Sequence, residues 1–257
     1  IPFCPSRCSY CSFVSCNLDR DRKMVQPYVD CLCREVEEIR IQAEKAGLTL
    51  CSIYIGGGTP TTLNAAQMAR LLAAIRDNFD LSRCLEFTVE GGRPDTLDEE
   101  KLRVIREGGC TRMSINPQPM DDQVLMAIGR RHTAAETVEA FTAARRAGFD
   151  DINMDLIAGL PGDTVQGFER SLRQAIALAP ENITVHTLTL KRSAPLFQKQ
   201  EQAVLTTQAA EKMVQRAAEM AAAIGLEPYY LYRQHYMLGH LANIGYAKPG
   251  TESIYNI

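Results

Sequence analysis

The chain has 257 residues, enough to bury one substantial core of the size of a single α/β barrel. Hydrophobic residues make up 46% and charged residues 23% of it, which excludes a disordered chain, and no apolar run approaches the ~18 residues of a membrane span. A net charge of −3 gives no basic footprint for nucleic acid.

In chain order, short β-rich runs at residues 1–3, 52–55, 85–89, 112–115, 152–157 and 183–190 alternate with amphipathic segments. The latter cover 26–46, 65–78, 98–107, 121–128, 134–147 and 165–177, and an Ala-rich helix over 206–223 follows the last strand. Asn64, Thr133 (with Glu136 three residues on) and Asp163 or Thr164 read as helix N-caps. Gly47, Gly108, Gly148 and Gly225 read as left-handed C-caps. Strands alternating with helices imply parallel pairing through right-handed crossovers, and six units predict an open, partial (βα)6 barrel. No linker divides residues 1–226. After Pro228 the texture changes, so 227–257 is expected to open a C-terminal region that handles substrate. The sequence starts without Met and stops after Tyr255-Asn256-Ile257, and it is read as a piece of a longer protein.

Cys4, Cys8 and Cys11 form C-x-x-x-C-x-x-C near the start. A structural zinc site needs four ligands, and a closed iron–sulfur cubane also takes four cysteines. Three thiolates leave one iron of a cubane open to a cofactor or substrate, and the missing fourth ligand argues against a zinc-stabilised barrel. Nine cysteines in a chain of this size point to reduced thiols in a cytosolic setting rather than to a disulfide scaffold. Cys31, Cys33, Cys51, Cys84 and Cys110 are expected to be small apolar packing residues. Cys16 alone lies close enough to the cluster for its role to stay open.

Barrels of this kind place their functional groups past the carboxyl ends of the strands. The first strand runs into the three-cysteine loop. The second ends in Gly56-Gly57-Gly58-Thr59-Pro60, which is neither a P-loop nor a dinucleotide fingerprint but does permit close backbone approach of a small ligand. Glu90 ends the third strand, Asn116 and Gln118 follow the fourth, and Asp155 lies in the mostly apolar fifth, where a carboxylate must be bonded or paired. Either Arg130 or Arg131 could reach a ligand carboxylate, the other being a surface charge. His186, alone in the last strand, reads as a packed, hydrogen-bonded residue.

These motifs resemble a known family. C-x-x-x-C-x-x-C with Tyr10 before its third cysteine, followed by Gly-Gly-Gly-Thr-Pro, resembles the radical S-adenosylmethionine superfamily. Asn153-Met-Asp-Leu-Ile-Ala-Gly-Leu-Pro161 and Gly129-Arg130-x-His132 are similar to oxygen-independent coproporphyrinogen III oxidases and their relatives. Tyr229-Tyr-Leu-Tyr-Arg-Gln234 with Asn243-x-Gly245-Tyr246-Ala247 is most similar to the coproporphyrinogen dehydrogenase branch of HemZ type. The resemblance extends over essentially the whole chain.

The resemblance implies a [4Fe–4S] cluster held by Cys4, Cys8 and Cys11, with S-adenosylmethionine chelated to its open iron. An electron from the cluster would cleave the sulfonium bond to methionine and a 5′-deoxyadenosyl radical. It further implies that Gly57, Gly58 and Thr59 line the methionine end, that Glu90 and Arg130 contact that moiety, and that Gln118 and Asp155 hold the ribose. Tyr10 and Thr189 would lie near the nucleoside. The implied reaction removes hydrogen, carbon dioxide and an electron from two propionates of coproporphyrinogen III, giving the vinyl groups of protoporphyrinogen IX. A tetrapyrrole and an external electron donor are the implied partners. Relatives with the same core motifs that insert heme, or open it by radical methyl transfer, define the alternatives. Three departures from the founding oxidases bear on substrate handling: Phe13 in place of a fourth cysteine, a longer Glu90-Gly-Gly-Arg-Pro loop, and Asn116-Pro117 where Gly-Val is usual.

Overall fold

The computed structural model describes residues 1–189, 191–198, 206–235 and 237–257. Its main element is a curled seven-stranded half-barrel sheet, so the α/β partial-barrel expectation is borne out. Two short strands, β1 (Phe3–Cys4) and β2 (Cys16–Asn17), pair in parallel as a separate ribbon. The large sheet comprises β3 (Ser52–Ile55), β4 (Glu86–Gly91), β5 (Arg112–Ile115), β6 (Asp151–Ala158), β7 (Asn182–Thr187), β8 (Glu227–Tyr232) and β9 (Asn243–Ala247). Their order is β3-β4-β5-β6-β7-β9-β8. The five strands β3 to β7 are parallel, while β9 runs antiparallel to both β7 and β8.

Two expectations about the strands change. The first expected strand closes the ribbon that carries the cysteine loop and is not part of the large sheet. Residues after 226, expected to open a further region, contribute β8 and β9 to this same sheet. Residue 190, the expected end of the strand before them, lies outside the described residues.

Helices α1 (Leu18–Asp21) and α2 (Val25–Lys45) follow the ribbon, and α3 (Ala65–Asn78) and α4 (Glu99–Glu107) make the first two crossovers. Next come α5 (Asp122–Ala127) and α6 (Ala134–Arg146), then α7 (Val165–Ala177), α8 (Pro195–Gln198) and α9 (Thr207–Ala223). Asn64 with Gln67 and Thr133 with Glu136 form reciprocal capping boxes, and Thr164 caps α7. Gly47, Gly148 and Gly225 have positive φ, but Gly108 is right-handed and Gly109 takes the left-handed turn instead. Gly108 is needed for space, because a Cβ there would run into Leu72 of α3.

Side chains alternate across the parallel strands. Phe87 and Val89, Met113 and Ile115, Ile152, Met154 and Leu156, and Ile183 and Val185 are buried in the core. The other face carries Glu86, Thr88 and Glu90, then Arg112 and Ser114, then Asp151, Asn153 and Asp155, then Asn182, Thr184 and His186. Parallel sheets are usually apolar on both faces, so this inner face must satisfy its own polar groups. It does so across the strands. Asn153 donates to Ser114 Oγ (2.9 Å) and to Asp155 Oδ1 (2.7 Å), and accepts from Thr184 Oγ1 (3.0 Å). At the amino-terminal end of β4, Glu86 accepts from Ser253 Oγ and the Ile254 amide, tying the last turn back under the half-barrel.

Asn153→Leu removes the hub of this ladder: Ser114 keeps its bond to Asn116 and Asp155 keeps His186, but buried Thr184 Oγ1 loses its partner. The expected cost is roughly 3 kcal/mol in the free energy of urea unfolding.

Candidate active site

The cysteine loop is held from several directions. Phe3, in the ribbon at its base, is buried and packs edge-on against Tyr28 of α2, with ring centres 5.4 Å apart. The Cys16 amide donates to Pro2 O at 2.7 Å, so Cys16 closes the loop through its backbone. Within the loop, Ser9 N–H donates to Ile128 O at the end of α5, and Ser6 Oγ donates to Gly129 O. On the opposite side the Leu196 amide donates to Ser9 O, and Ser193 Oγ donates to Ser12 O.

The glycine turn after β3 abuts the loop. The Gly58 amide donates to Ile1 O at 2.7 Å, and a Cβ on Gly58 would stand 2.9 Å from both Cys4 Sγ and Phe3 O. Gly57 has φ +118° and would meet Ile1 O at 2.8 Å. Close backbone approach thus requires glycine at both positions. Thr59, buried beside them, points its hydroxyl at Cys4 Sγ, 3.6 Å away.

The three thiols share one electrostatic neighbourhood, with Cys8 buried and Cys4 and Cys11 half-buried. Burial pushes the thiols of Cys4 and Cys11 up, the other cysteines adding to it, while Thr59 and the cations Arg93 and Arg130 pull Cys4 back. Bound metal would reverse the balance by favouring thiolates. Among the described residues no three His, Cys, Asp or Glu converge on a single ion-sized point. Ligands to separate iron corners of a cluster need not do so, and this donor set suits a cluster better than one ion.

Two buried guanidiniums flank the thiols. Arg130 donates to Gly92 O (3.1 Å) and Asn116 O (2.8 Å), and also faces Tyr10 and Cys8. Its Nε is buried without a hydrogen-bond partner. Arg131 is the surface charge, pairing with Asp19 at 3.3 Å. Arg93 was not singled out by the sequence, yet its Nη1 lies 3.4 Å from Cys8 Sγ and its Nη2 donates to Ser6 Oγ at 2.7 Å. His132, buried behind both, is held neutral: burial first, then Arg130 and Arg93, drive its pKa down to about 3.

Glu90 is fixed at the end of β4. Tyr54, another residue the sequence reading passed over, donates its hydroxyl to Glu90 Oε1 at 2.6 Å, and the Gly57 amide donates to Oε2 at 3.2 Å. Gln118 adopts φ +70° and joins β6 by a bridge to Leu156, its amide donating to Asp155 O. Its Oε1 is buried without a partner. Asp155 is held by Asn153 and by His186, whose Nε2 is 3.5 Å from Asp155 Oδ2. Tyr10 packs against a second apolar cluster containing Ile157, Leu160 and Leu188. Thr189 lies one residue beyond it, bridged to Met237.

The cysteine loop, Gly57, Gly58, Thr59, Glu90 and Arg130 are therefore joined by direct contacts, and Gln118 and Asp155 by the β6 backbone. Among the described residues, Thr189 meets the group through the neighbouring Leu188. Among the remaining cysteines, Cys33 and Cys110 are buried as expected, but Cys31 and Cys51 are exposed. All nine are free.

The sequence, with its three-cysteine loop set between the two strands of the ribbon, matches the family model for the radical SAM superfamily over residues 1–175; the chain belongs to that superfamily. Its members use a [4Fe–4S] cluster and S-adenosylmethionine. Among individual relatives, the chain is 42% identical over its full length to the oxygen-independent coproporphyrinogen-III oxidase-like protein HemZ of Bacillus subtilis, covering 52% of that protein. It is 30% identical over its full length to the heme chaperone HemW of Lactococcus lactis, covering 63%. The chain thus spans about half to two thirds of the length of these relatives. In fold it resembles coproporphyrinogen III oxidase (HemN) of Escherichia coli, with a TM-score of 0.83 at 24% identity, over 97% of this chain and 54% of that one.

The pair formed by Asp155 and His186 sets a pH dependence. Burial opposes both charges, but their mutual hydrogen bond prevails, lowering Asp155 and raising His186 from its ordinary 6.5. A raised histidine contributes stability that is complete below its unfolded value and is lost as pH rises through its folded one. The stability difference between the protein and His186→Leu in urea melts is therefore expected to be larger at about pH 6 than at about pH 9.

Proposed function

We propose that this chain is the catalytic core of a radical S-adenosylmethionine oxidoreductase that oxidatively decarboxylates the propionates of coproporphyrinogen III to vinyl groups. The observation that carries the reading is a pair of buried polar atoms without hydrogen-bond partners beside the cysteine loop: Gln118 Oε1, just past β5, and Arg130 Nε, just past α5. An orphaned buried acceptor and donor are costly without a ligand, and S-adenosylmethionine offers a ribose hydroxyl to one and a carboxylate to the other.

On this reading Cys4, Cys8 and Cys11 hold the cluster, and Arg93 and Arg130 offset the charge of its thiolates. Gly57, Gly58 and Thr59 line the methionine end. Glu90, fixed by Tyr54 and the Gly57 amide, accepts the ligand ammonium, while Arg130 takes its carboxylate. Gln118 and Asp155 hold the ribose, and Asp155 is oriented for it by Asn153 and His186. Tyr10 and Thr189 border the nucleoside. When bound, the two cofactors supply reductive sulfonium cleavage and hydrogen-atom abstraction, and the protein's task is to orient the reactants and exclude water. An external donor supplies the initiating electron, and a one-electron acceptor takes the electron released with carbon dioxide. Nine free cysteines suit a reducing, cytoplasmic setting.

Similarity to a heme chaperone supports a second reading, in which the same core carries heme. Anaerobic reconstitution with iron and sulfide followed by product analysis separates the two. The oxidase reading predicts 5′-deoxyadenosine and carbon dioxide formed together, and only when coproporphyrinogen III is present. Tight heme binding without either product would replace it with the chaperone reading.

A further inference from the structure

Beside the cysteine loop lies a cleft of about 740 Å³, within the range of small-molecule sites, that the roles above leave unused. It is lined by Lys191, Arg192, Ser193, Tyr232, Arg233, Gln234 and His235. Topology places it at the mouth of the half-barrel. Residues 191–193 lie past the carboxyl end of β7, and residues 233–235 directly follow β8. Because β9 is antiparallel to both, β7 and β8 point the same way, and their carboxyl ends share one edge of the sheet.

Two hydrogen bonds fasten this cleft to the loop that carries Cys11. Ser193 Oγ donates to Ser12 O at 3.3 Å, and Arg7 Nη2 donates to Ser193 O at 3.0 Å. The bridge from Thr189 to Met237 holds its two walls together. A ligand seated there therefore lies next to the cysteine loop.

Its charge runs against that of the chain. The protein carries −3 overall, yet the described lining residues include Lys191, Arg192 and Arg233 and no aspartate or glutamate; of these cations, Lys191 and Arg233 are the candidate anchors. Like charges gathered at a mouth concentrate anions, and guanidinium forks match carboxylates in particular. Tyr232, half exposed, adds an aromatic edge suited to a flat ring.

We propose that this cleft binds the propionate carboxylates of a tetrapyrrole, with Lys191 and Arg233 as the anchoring cations. The inference rests on the function proposed above and adds the surface that selects its substrate. Recognition is by peripheral carboxylates, so a ring bearing four binds more tightly than one bearing two.

The test is fluorescence titration of the reconstituted protein with coproporphyrin III, which carries four propionates, and absorbance titration with heme, which carries two. Each is repeated with the double variant Lys191→Ala/Arg233→Ala and the charge reversal Arg233→Glu. These positions are partly or fully exposed, so circular dichroism and cluster absorbance are expected to match the parent. A loss of coproporphyrin affinity on the order of tenfold or more, with heme affected less, supports the proposal. If the parent binds coproporphyrin and both variants bind it equally well, the cleft is not the site and the functional reading stands without it. If only heme binds and the variants weaken it, carboxylate recognition stands and the oxidase reading falls. Failure of the parent to bind either ring overturns both.

Discussion

The inner face of the parallel sheet is the constraint on which the rest of the molecule depends. Helices cover its outer face, so the apolar residues of each strand are accounted for by packing. The polar residues on the other side have no such cover and must be satisfied by one another. Over most of the surface they are: Ser114, Asn153 and Thr184 bond across three strands, and Glu86 is capped by the final turn. The accounting stops closing in two places: Arg112 Nε and Asn182 Oδ1 lack a hydrogen-bond partner at the amino ends of β5 and β7, and further polar atoms do so beside the cysteine loop. Gln118 Oε1 and Arg130 Nε are left over, and Glu90 and Asp155 are braced but not saturated. The candidate site lies where these unsatisfied atoms meet the cysteine loop.

The cysteine loop is joined to that unfinished edge by backbone contact. Side chains on Gly57 or Gly58 would separate the loop from β3, because their Cβ atoms would lie inside contact distance of Ile1, Phe3 and Cys4. The same turn gives an amide to Glu90, so one short segment fixes both the thiols and the carboxylate. Arg93 and Arg130 bring two buried positive charges to the three thiols from the ends of the next elements. Buried charges require partners, and on the proposed reading the thiolates of a cluster would supply them.

Much of this was legible in the sequence because it is local. The cysteine spacing, the glycine turn and the capping boxes at Asn64 and Thr133 are short-range patterns with one physical meaning each. What escaped is long-range or depends on register. Arg93 meets Cys8 across 85 residues and Tyr54 meets Glu90 across 36, and no spacing rule announces either pairing. The fifth expected strand, started at residue 152, looked mostly apolar with Asp155 as an exception. Started at Asp151, it alternates strictly through Asn153 and Asp155, and β7 does the same through Asn182, Thr184 and His186. The placement of β9 between β7 and β8 depends on tertiary pairing that no local signal carries.

The central claim is that the three thiols hold a cluster whose open corner faces the unsatisfied edge of the sheet. Electron paramagnetic resonance of the reconstituted, reduced protein, recorded with and without S-adenosylmethionine, tests it most directly. The account predicts a [4Fe–4S]+ signal whose g-values shift when S-adenosylmethionine is added, and no such signal in Cys8→Ser. A cluster signal that S-adenosylmethionine leaves unchanged at saturating concentration would contradict it.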